Sequence, residues 1–341
     1  MSRYGFYDTT RFLLVGLGFR GLRTFYPALS SRTAPSFCVS AACDPDPERQ
    51  RVFRELPRTQ KARPRIPCFS SLQNLPPDLF DVAIIATPTD QHHAVVKALS
   101  ASKRRAILVE KPVASSALEA EKILSQSPAI RVLTDRHYWR SFEIVQSMLP
   151  ELGPLRRFDA MSALPSPNYK NTWRNSPIRA GGGVLLDLGY HLIDMSIGLL
   201  GMPETVRARE RSPRRAGYLV EEDVEIELLM PSHSATLRAS RIGARRREIY
   251  ALTGKQGTLT WSRSRVTLNA RGRQSVWPVH DWHRSRVRRM ISAQLAAAAQ
   301  SRFDERALKV QVVIDALYRS LRQGGALLLT PTRDKMAEMC Q

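Results

Sequence analysis

The run Gly16-Leu17-Gly18-Phe19-Arg20-Gly21 has the spacing G-x-G-x-x-G, which does chemistry when it joins a strand to a helix. Gly16 permits a tight turn, Gly18 lets backbone approach a pyrophosphate, and Gly21 lets the following helix pack on its sheet. The helix N-terminus adds unpaired N–H donors for the anion. Asp44 closes the next apolar run, 23 residues past Gly21, where an acid that binds ribose hydroxyls is expected. A carboxylate there accepts from both adenosine hydroxyls and repels a 2′-phosphate, so NAD is predicted ahead of NADP; Arg49 and Arg51 stand close enough to keep NADP open. Phe19 and Arg20, inside the turn, join the predicted cofactor contacts. The competing readings are a chance glycine-rich turn, and for Asp44-Pro45 a simple turn after a strand.

Three further stretches carry candidate chemistry. Ala86-Thr87-Pro88-Thr89-Asp90-Gln91-His92 follows an apolar run at the edge where open α/β sheets gather ligands, so Thr87, Pro88 and His92 are candidate contacts to the nicotinamide half; His92 is equally readable as the first turn of a helix. Glu110-Lys111-Pro112 ends the next run. A Lys there, partly desolvated, can hydrogen-bond a substrate hydroxyl and stabilise a developing alkoxide, or it is simply a solvated charge. The glycine triplet Gly181-Gly182-Gly183 runs as a flexible lead into an amphipathic helix on which Asp187 and His191, four apart, share a face. They are either an acid/base pair or a helix-surface hydrogen bond.

The elements that must position these residues follow from periodicity. Short apolar runs alternate with amphipathic stretches through the first 134 residues, the pattern of parallel strands with crossover helices. Strands are predicted over 11–15, 37–43, 81–86, 106–109 and 130–134, with another near Cys68, and helices over 19–29, 47–56, 91–100 and 115–124. Residues 57–67, dense in Pro, Arg and Lys, read as a surface loop. From about Phe158 the runs 224–229, 235–240, 248–252, 258–261 and 265–268 succeed one another across short turns, the signature of an antiparallel sheet. A helix over 307–322 follows, stopped by Gly324-Gly325.

With 341 residues, 43% of them hydrophobic and 24% charged, the chain is long enough for two folded domains. No run of about 18 consecutive apolar residues and no signal-peptide pattern is present, so a cytoplasmic protein with no membrane partner is expected. Cys38, Cys43, Cys68 and Cys340 form no C-x-x-C pair, and His280-Asp281-Trp282-His283 lacks further ligands nearby, so no metal is predicted. The net charge of +21 comes almost wholly from Arg, since only nine of the 52 basic residues are Lys. Arg clusters at 207–215, 245–247 and 284–289 could attract an acidic partner. The excess is nonetheless spread over both halves and no nucleic-acid readout module is found, so no nucleic-acid partner is expected.

Taken together, Gly16 to Gly21, Asp44, Ala86 to His92, Glu110-Lys111-Pro112, Trp173-Arg174, Gly181 to Asp194 and the helix around 307–319 resemble the glucose-fructose oxidoreductase / inositol dehydrogenase / MocA-like (Gfo/Idh/MocA) family. The resemblance spans almost the whole chain. It implies an α/β protein: a doubly wound Rossmann sheet over 1–136, then an α+β domain over 137–341 on an open-faced, mostly antiparallel sheet that serves oligomerisation as a homodimer or homotetramer. The last helix is a candidate to pack back on the first domain. Glu110 and Lys111 become cofactor contacts, and Lys111, Asp187 and His191 the catalytic group. These three, with Tyr138, Trp173 and Arg174, are the substrate contacts, and the Lys111–Pro112 bond is expected to be cis. The implied reaction moves a hydride between NAD or NADP and a hydroxyl or carbonyl carbon of a sugar, polyol, inositol or sugar derivative, with an acidic or carrier-bound substrate suggested by the Arg excess. The alternative is a non-catalytic dinucleotide-binding sensor of the same fold. The bulky Thr134-Asp135-Arg136-His137-Tyr138-Trp139-Arg140 departs from the family's usual run and is expected to shape the substrate pocket.

Overall fold

The computed structural model describes residues 9–30, 36–56, 65–101, 104–166, 169–323 and 328–329. Most of the predicted 57–67 loop, Cys340 and the Gly324-Gly325 stop lie outside the described residues. The chain divides into two units: 1–113, 122–133 and 282–304 form one, and 114–121, 134–281 and 305–341 the other.

The first unit is built on six parallel strands, β1 (Thr10–Val15), β2 (Phe37–Cys43), β3 (Cys68–Phe69), β4 (Val82–Ile85), β5 (Ala106–Glu110) and β6 (Ile130–Leu133), in the order β3-β2-β1-β4-β5-β6. Every residue of β4 and β5 is buried, because helices cover both faces of a doubly wound sheet; their continuous apolar runs reflect that. A π-helical turn over Gly21–Phe25 leads into α1 (Tyr26–Leu29). Helix α2 (Pro47–Glu55) follows β2, capped by Asp46, whose side chain accepts from Glu48 N. Helix α3 (His92–Ser100) follows β4. Helix α4 (Ala117–Leu124) precedes β6.

The second unit opens with α5 (Arg140–Met148) and carries a nine-stranded sheet: β7 (Leu155–Ala163), β8 (Thr205–Glu210), β9 (Asp223–Leu229), β10 (Ser234–Ser240), β11 (Arg247–Gly254), β12 (Gly257–Trp261), β13 (Arg265–Ala270), β14 (Arg273–Pro278) and β15 (Leu328–Leu329). Its order is β14-β13-β12-β11-β7-β10-β9-β8-β15. The sheet is mostly antiparallel, but β7 lies parallel to β10 and keeps β10 and β11 apart, so these successive strands do not pair with each other. Side chains alternate inward and outward along β9 and β10, as a half-covered sheet requires. Inside, Tyr250 stacks on Trp261 at 5.2 Å and Phe158 at 6.2 Å, and Trp139 meets Tyr250 edge-on at 5.9 Å.

Helix α6 (Pro177–Ala180) and helix α7 (Tyr190–Leu200) flank a second π-helical turn, Leu185–Gly189. The stretch Pro177–Leu200 is long and apolar enough to cross a membrane by mean hydropathy, despite its polar interruptions, yet 78% of its apolar window is buried in the fold. Tyr190 through Ile197 are all buried, so α7 is not the amphipathic helix expected; a helix buried all round belongs in a core.

Two long helices complete the chain. Helix α8 (His283–Ala299), not foreseen in the sequence, packs on β5, β6 and α1 of the first unit. The segment after it is tied down by Asp304, which accepts from Val132 N at 2.9 Å. Helix α8 thus returns to the dinucleotide-fold unit. Helix α9 (Glu305–Arg322) packs on β8 and α7 within the second unit.

Candidate active site

The three glycines of the first turn do different work. A Cβ on Gly16, whose φ is +92°, would lie 2.7 Å from the Ala86 carbonyl carbon, and one on Gly21 would lie 2.1 Å from Gly16 O. Both are closed by the chain's own backbone. Among the described residues, a Cβ on Gly18 meets Arg49 Nη1 alone within 4 Å, at 3.9 Å. The turn is thus shut on the sheet side and open at its middle glycine, the arrangement that lets a pyrophosphate approach backbone. These residues fit a dinucleotide.

Around the turn, side chains brace one another. Asp44 is 2% exposed; its Oδ2 accepts from Leu17 N at 2.7 Å and its Oδ1 from Asp46 N at 3.0 Å. It holds the first and second strand–helix junctions together, and Arg49 lies 3.6 Å from its Oδ2. Arg51 is turned away to Glu48 and Glu55. Arg20 Nε donates to Glu110 Oε1 at 2.6 Å, so these two predicted cofactor contacts pair with each other. Phe19 is exposed.

At the carboxyl edge, Ile85 pairs with Val109, so Ala86-Thr87-Pro88 and Glu110-Lys111-Pro112 leave the sheet side by side. His92 bridges the two loops from beneath: its Nδ1 lies 3.1 Å from Val113 O and its Nε2 3.1 Å from Thr87 O. Burial lowers its pKa against the pull of those carbonyls, keeping the ring neutral. His92 is also the first residue of α3. The Lys111–Pro112 peptide is cis.

In the second unit the glycine triplet is packed rather than flexible. A Cβ on Gly182 would fall 1.8 Å from Tyr318 Oη, one on Gly183 2.2 Å from Glu221 O, and one on Gly181 2.6 Å from Ser115 Cβ. Glu221, 3% exposed, receives Gly183 N at 2.9 Å, Leu185 N at 3.1 Å and Tyr318 Oη at 2.7 Å. It caps the turn that carries Asp187, and burial raises its pKa despite those donors. Asp187 lies in the π-helical turn and His191, 5% exposed, in the first turn of α7. A π-helical turn at such a place is a recurrent mark of functional sites.

Asp187 has a partner that spacing did not reveal. Arg241 Nη2 donates to its Oδ2 at 2.5 Å from just beyond β10, with the guanidinium 4.2 Å from the Tyr169 ring centroid. Burial works against the Arg241 charge, but Asp187 holds its pKa above the ordinary value. A lone Arg after a strand gives no sequence signal; only the pairing of β10 beside β7 brings it to this helix.

The 134–140 segment, expected to shape the substrate pocket, is held by partners inside the second unit. Its bulk goes into the core: Trp139 is 3% exposed, Arg136 Nε donates to Glu248 at 2.9 Å and pairs with Asp135, and His137 Nε2 lies 3.0 Å from Asp194. Tyr138 remains half-buried in a 3-10 turn. Trp173 and Arg174 stack on each other at 4.7 Å, and the neighbouring Asn175 ties that loop to Gly217 O at 3.0 Å and Leu219 N at 2.8 Å. The Arg cluster at 207–215 is matched by acids: Arg209 and Arg211 meet Glu225, Arg207 Glu227, Arg214 Glu210 and Arg215 Glu222.

Comparison with known proteins agrees with this architecture. Residues 10–127 match the oxidoreductase family with an NAD-binding Rossmann fold, and residues 148–260 the GFO/IDH/MocA C-terminal domain. A chain from Amycolatopsis mediterranei (strain S699), assigned as the oxidoreductase subunit of a UDP-kanosamine synthase, is 29% identical over 198 residues, 57% of this chain and 52% of that one. The NADP-dependent scyllo-inositol 2-dehydrogenase IolU of Bacillus subtilis (strain 168) is 28% identical over 169 residues, 47% of this chain and 49% of its own. The chain thus spans about half the length of these curated relatives. Among solved structures, levoglucosan dehydrogenase with NADH and levoglucosan superposes with a TM-score of 0.78 at 18% identity, covering 95% of this chain and 100% of the other. Aldose-aldose oxidoreductase from Caulobacter crescentus does so with a TM-score of 0.75 at 18% identity, covering 94% and 99%. With both halves matched by its models, the chain belongs to the Gfo/Idh/MocA family of oxidoreductases with an NAD-binding Rossmann fold.

Proposed function

We propose that this protein is an NAD(P)-dependent dehydrogenase or reductase acting on a CH–OH or carbonyl carbon of a sugar, polyol, inositol or sugar derivative. The observation that carries the reading is the glycine turn closed by backbone at Gly16 and Gly21 and open at Gly18, on a sheet whose next two carboxyl ends deliver Thr87 and Lys111 together. Relatives that act on scyllo-inositol and a structural neighbour bound to levoglucosan support the substrate class.

The bound dinucleotide supplies the two-electron acceptor or donor. The chain supplies the rest. Gly18 admits the pyrophosphate to backbone N–H groups, and Asp44, through Leu17 N, keeps the turn in shape. The Lys111 ammonium stabilises negative charge on the substrate oxygen, an electrostatic contribution that is largest where water is excluded. His191 takes the hydroxyl proton on a ring nitrogen in the oxidative direction and returns it in the other, with Asp187 orienting the group.

Lys111→Met tests this. Turnover of a panel of inositols, anhydrosugars, aldoses and nucleotide sugars, followed by absorbance of the reduced cofactor, is expected to fall by about 100-fold or more. Dinucleotide affinity by calorimetry should stay within about threefold. Unchanged turnover would remove Lys111 from the chemistry.

A further inference from the structure

The geometry points to Arg241 as the residue that positions Asp187 as a permanently ionised partner, so that the substrate proton passes to His191 and not to the aspartate. This rests on the proposed roles of Asp187 and His191 and divides the labour between them.

The argument begins with the ion pair. Arg241 is 5% exposed, and its Nη2 sits 2.5 Å from Asp187 Oδ2, whereas the Asp187 side chain is 38% exposed. A guanidinium does not give up its proton in a protein, so the carboxylate beside it is held in its charged form and is a poor proton acceptor. Two titratable groups on one helical face with environments that differ in this way mark separate acid/base roles. The imidazole of His191, one turn further, is the group left to exchange a proton.

Arg241 is itself fixed from three sides. Its backbone N donates to Glu222 O at 2.7 Å, and its backbone O receives Ser166 N at 3.3 Å. Its guanidinium lies over the Tyr169 ring, whose hydroxyl donates to Glu222 Oε1 at 3.0 Å. Arg215 in turn donates to Glu222 at 2.5 Å and lies 4.3 Å from the Tyr218 ring centroid. Charged and titratable groups around the pair include Tyr169, Glu222 and Arg215. Asp223, paired with Arg238 at 3.0 Å, and Glu221, bonded to Tyr318, lie on the adjoining strand and turn. Arg241 is a cation in direct contact with Asp187, so its removal takes positive charge away from the aspartate one turn before His191. A less fully compensated negative charge favours protonated imidazole.

The test compares wild type, Arg241→Met and Arg241→Lys. With 13C-labelled histidine rings, and His191 assigned through His191→Gln, the His191 titration is expected to move up by about half to one pH unit in Arg241→Met and to stay near wild type in Arg241→Lys. With any substrate turned over in the panel, the acidic limb of kcat/KM should move the same way while Arg241→Lys recovers turnover. A residue that merely supported the fold would lower melting temperature and kcat without moving either titration. An unmoved His191 titration in folded Arg241→Met overturns the inference. A wild type that turns over nothing in the panel counts against the proposed function instead, leaving the ring titration to judge Arg241.

Discussion

Gly18 is the residue at which folding and ligand binding separate. Its missing side chain leaves open space, so Gly18→Ala should fold with wild-type melting behaviour while dinucleotide affinity drops about tenfold or more, a loss of about 1.4 kcal/mol. Gly16→Ala combines positive φ with a Cβ 2.7 Å from backbone and should lose stability by about 2 kcal/mol or more. Calorimetric titration with NAD and chemical denaturation read the two effects independently; equal damage from both substitutions would contradict the open-turn account. The sequence motif gave each glycine its role, and the structure adds how tightly backbone closes on Gly16 and Gly21. The spacing placed Asp187 and His191 on successive turns, and it gave no sign of Arg241, whose partner lies 54 positions away in sequence.

At the scale of elements, α7 is pinned by Asp194. This 1% exposed carboxylate lies 3.0 Å from His137 Nε2 and 3.1 Å from Arg306 Nε. Burial opposes its charge, but His137 and Arg306 together hold its pKa below the ordinary carboxylate value. A carboxylate whose folded pKa is depressed stabilises the fold above its unfolded pKa, and loses that contribution as pH falls through the ordinary carboxylate range toward the folded value. Wild type should therefore lose more stability than Asp194→Asn on acidification through that range. Near neutrality Asp194→Asn should be the less stable by about 3 kcal/mol, as when one partner of a buried pair is removed. Urea unfolding followed by far-UV circular dichroism at several pH values measures both. A constant difference between the two proteins across pH would show that the charge of Asp194 is not what pins the helix. The 134–140 run was expected from its bulk to shape a pocket; the partners Asp194 and Glu248 that hold His137 and Arg136 were not visible in the sequence.

For the whole molecule, the +21 charge invites a nucleic-acid reading that the second unit's ion pairs weaken. Pairs on an exposed sheet face are each worth about 1 kcal/mol or less, but they cancel the field of the 207–215 cluster locally. Duplex DNA should show no binding by fluorescence anisotropy at physiological ionic strength. Micromolar or tighter binding that weakens steeply with salt would reverse that expectation.

The amino-acid sequence by itself determined the alternation of strands and helices from β1 to β6, because strands buried on both faces must be continuously apolar and a dinucleotide turn must have glycines at set intervals. It also determined the outward–inward alternation of the strands from Asp223 to Ala270. What only the tertiary structure decided is what long-range pairing creates: β7 lying between β10 and β11, the return of α8 to the first sheet, the packing of the glycine triplet against Tyr318 and Glu221, and the guanidinium on Asp187. Local patterns encode which face of an element is apolar; they carry no record of which distant side chain will meet a buried charge.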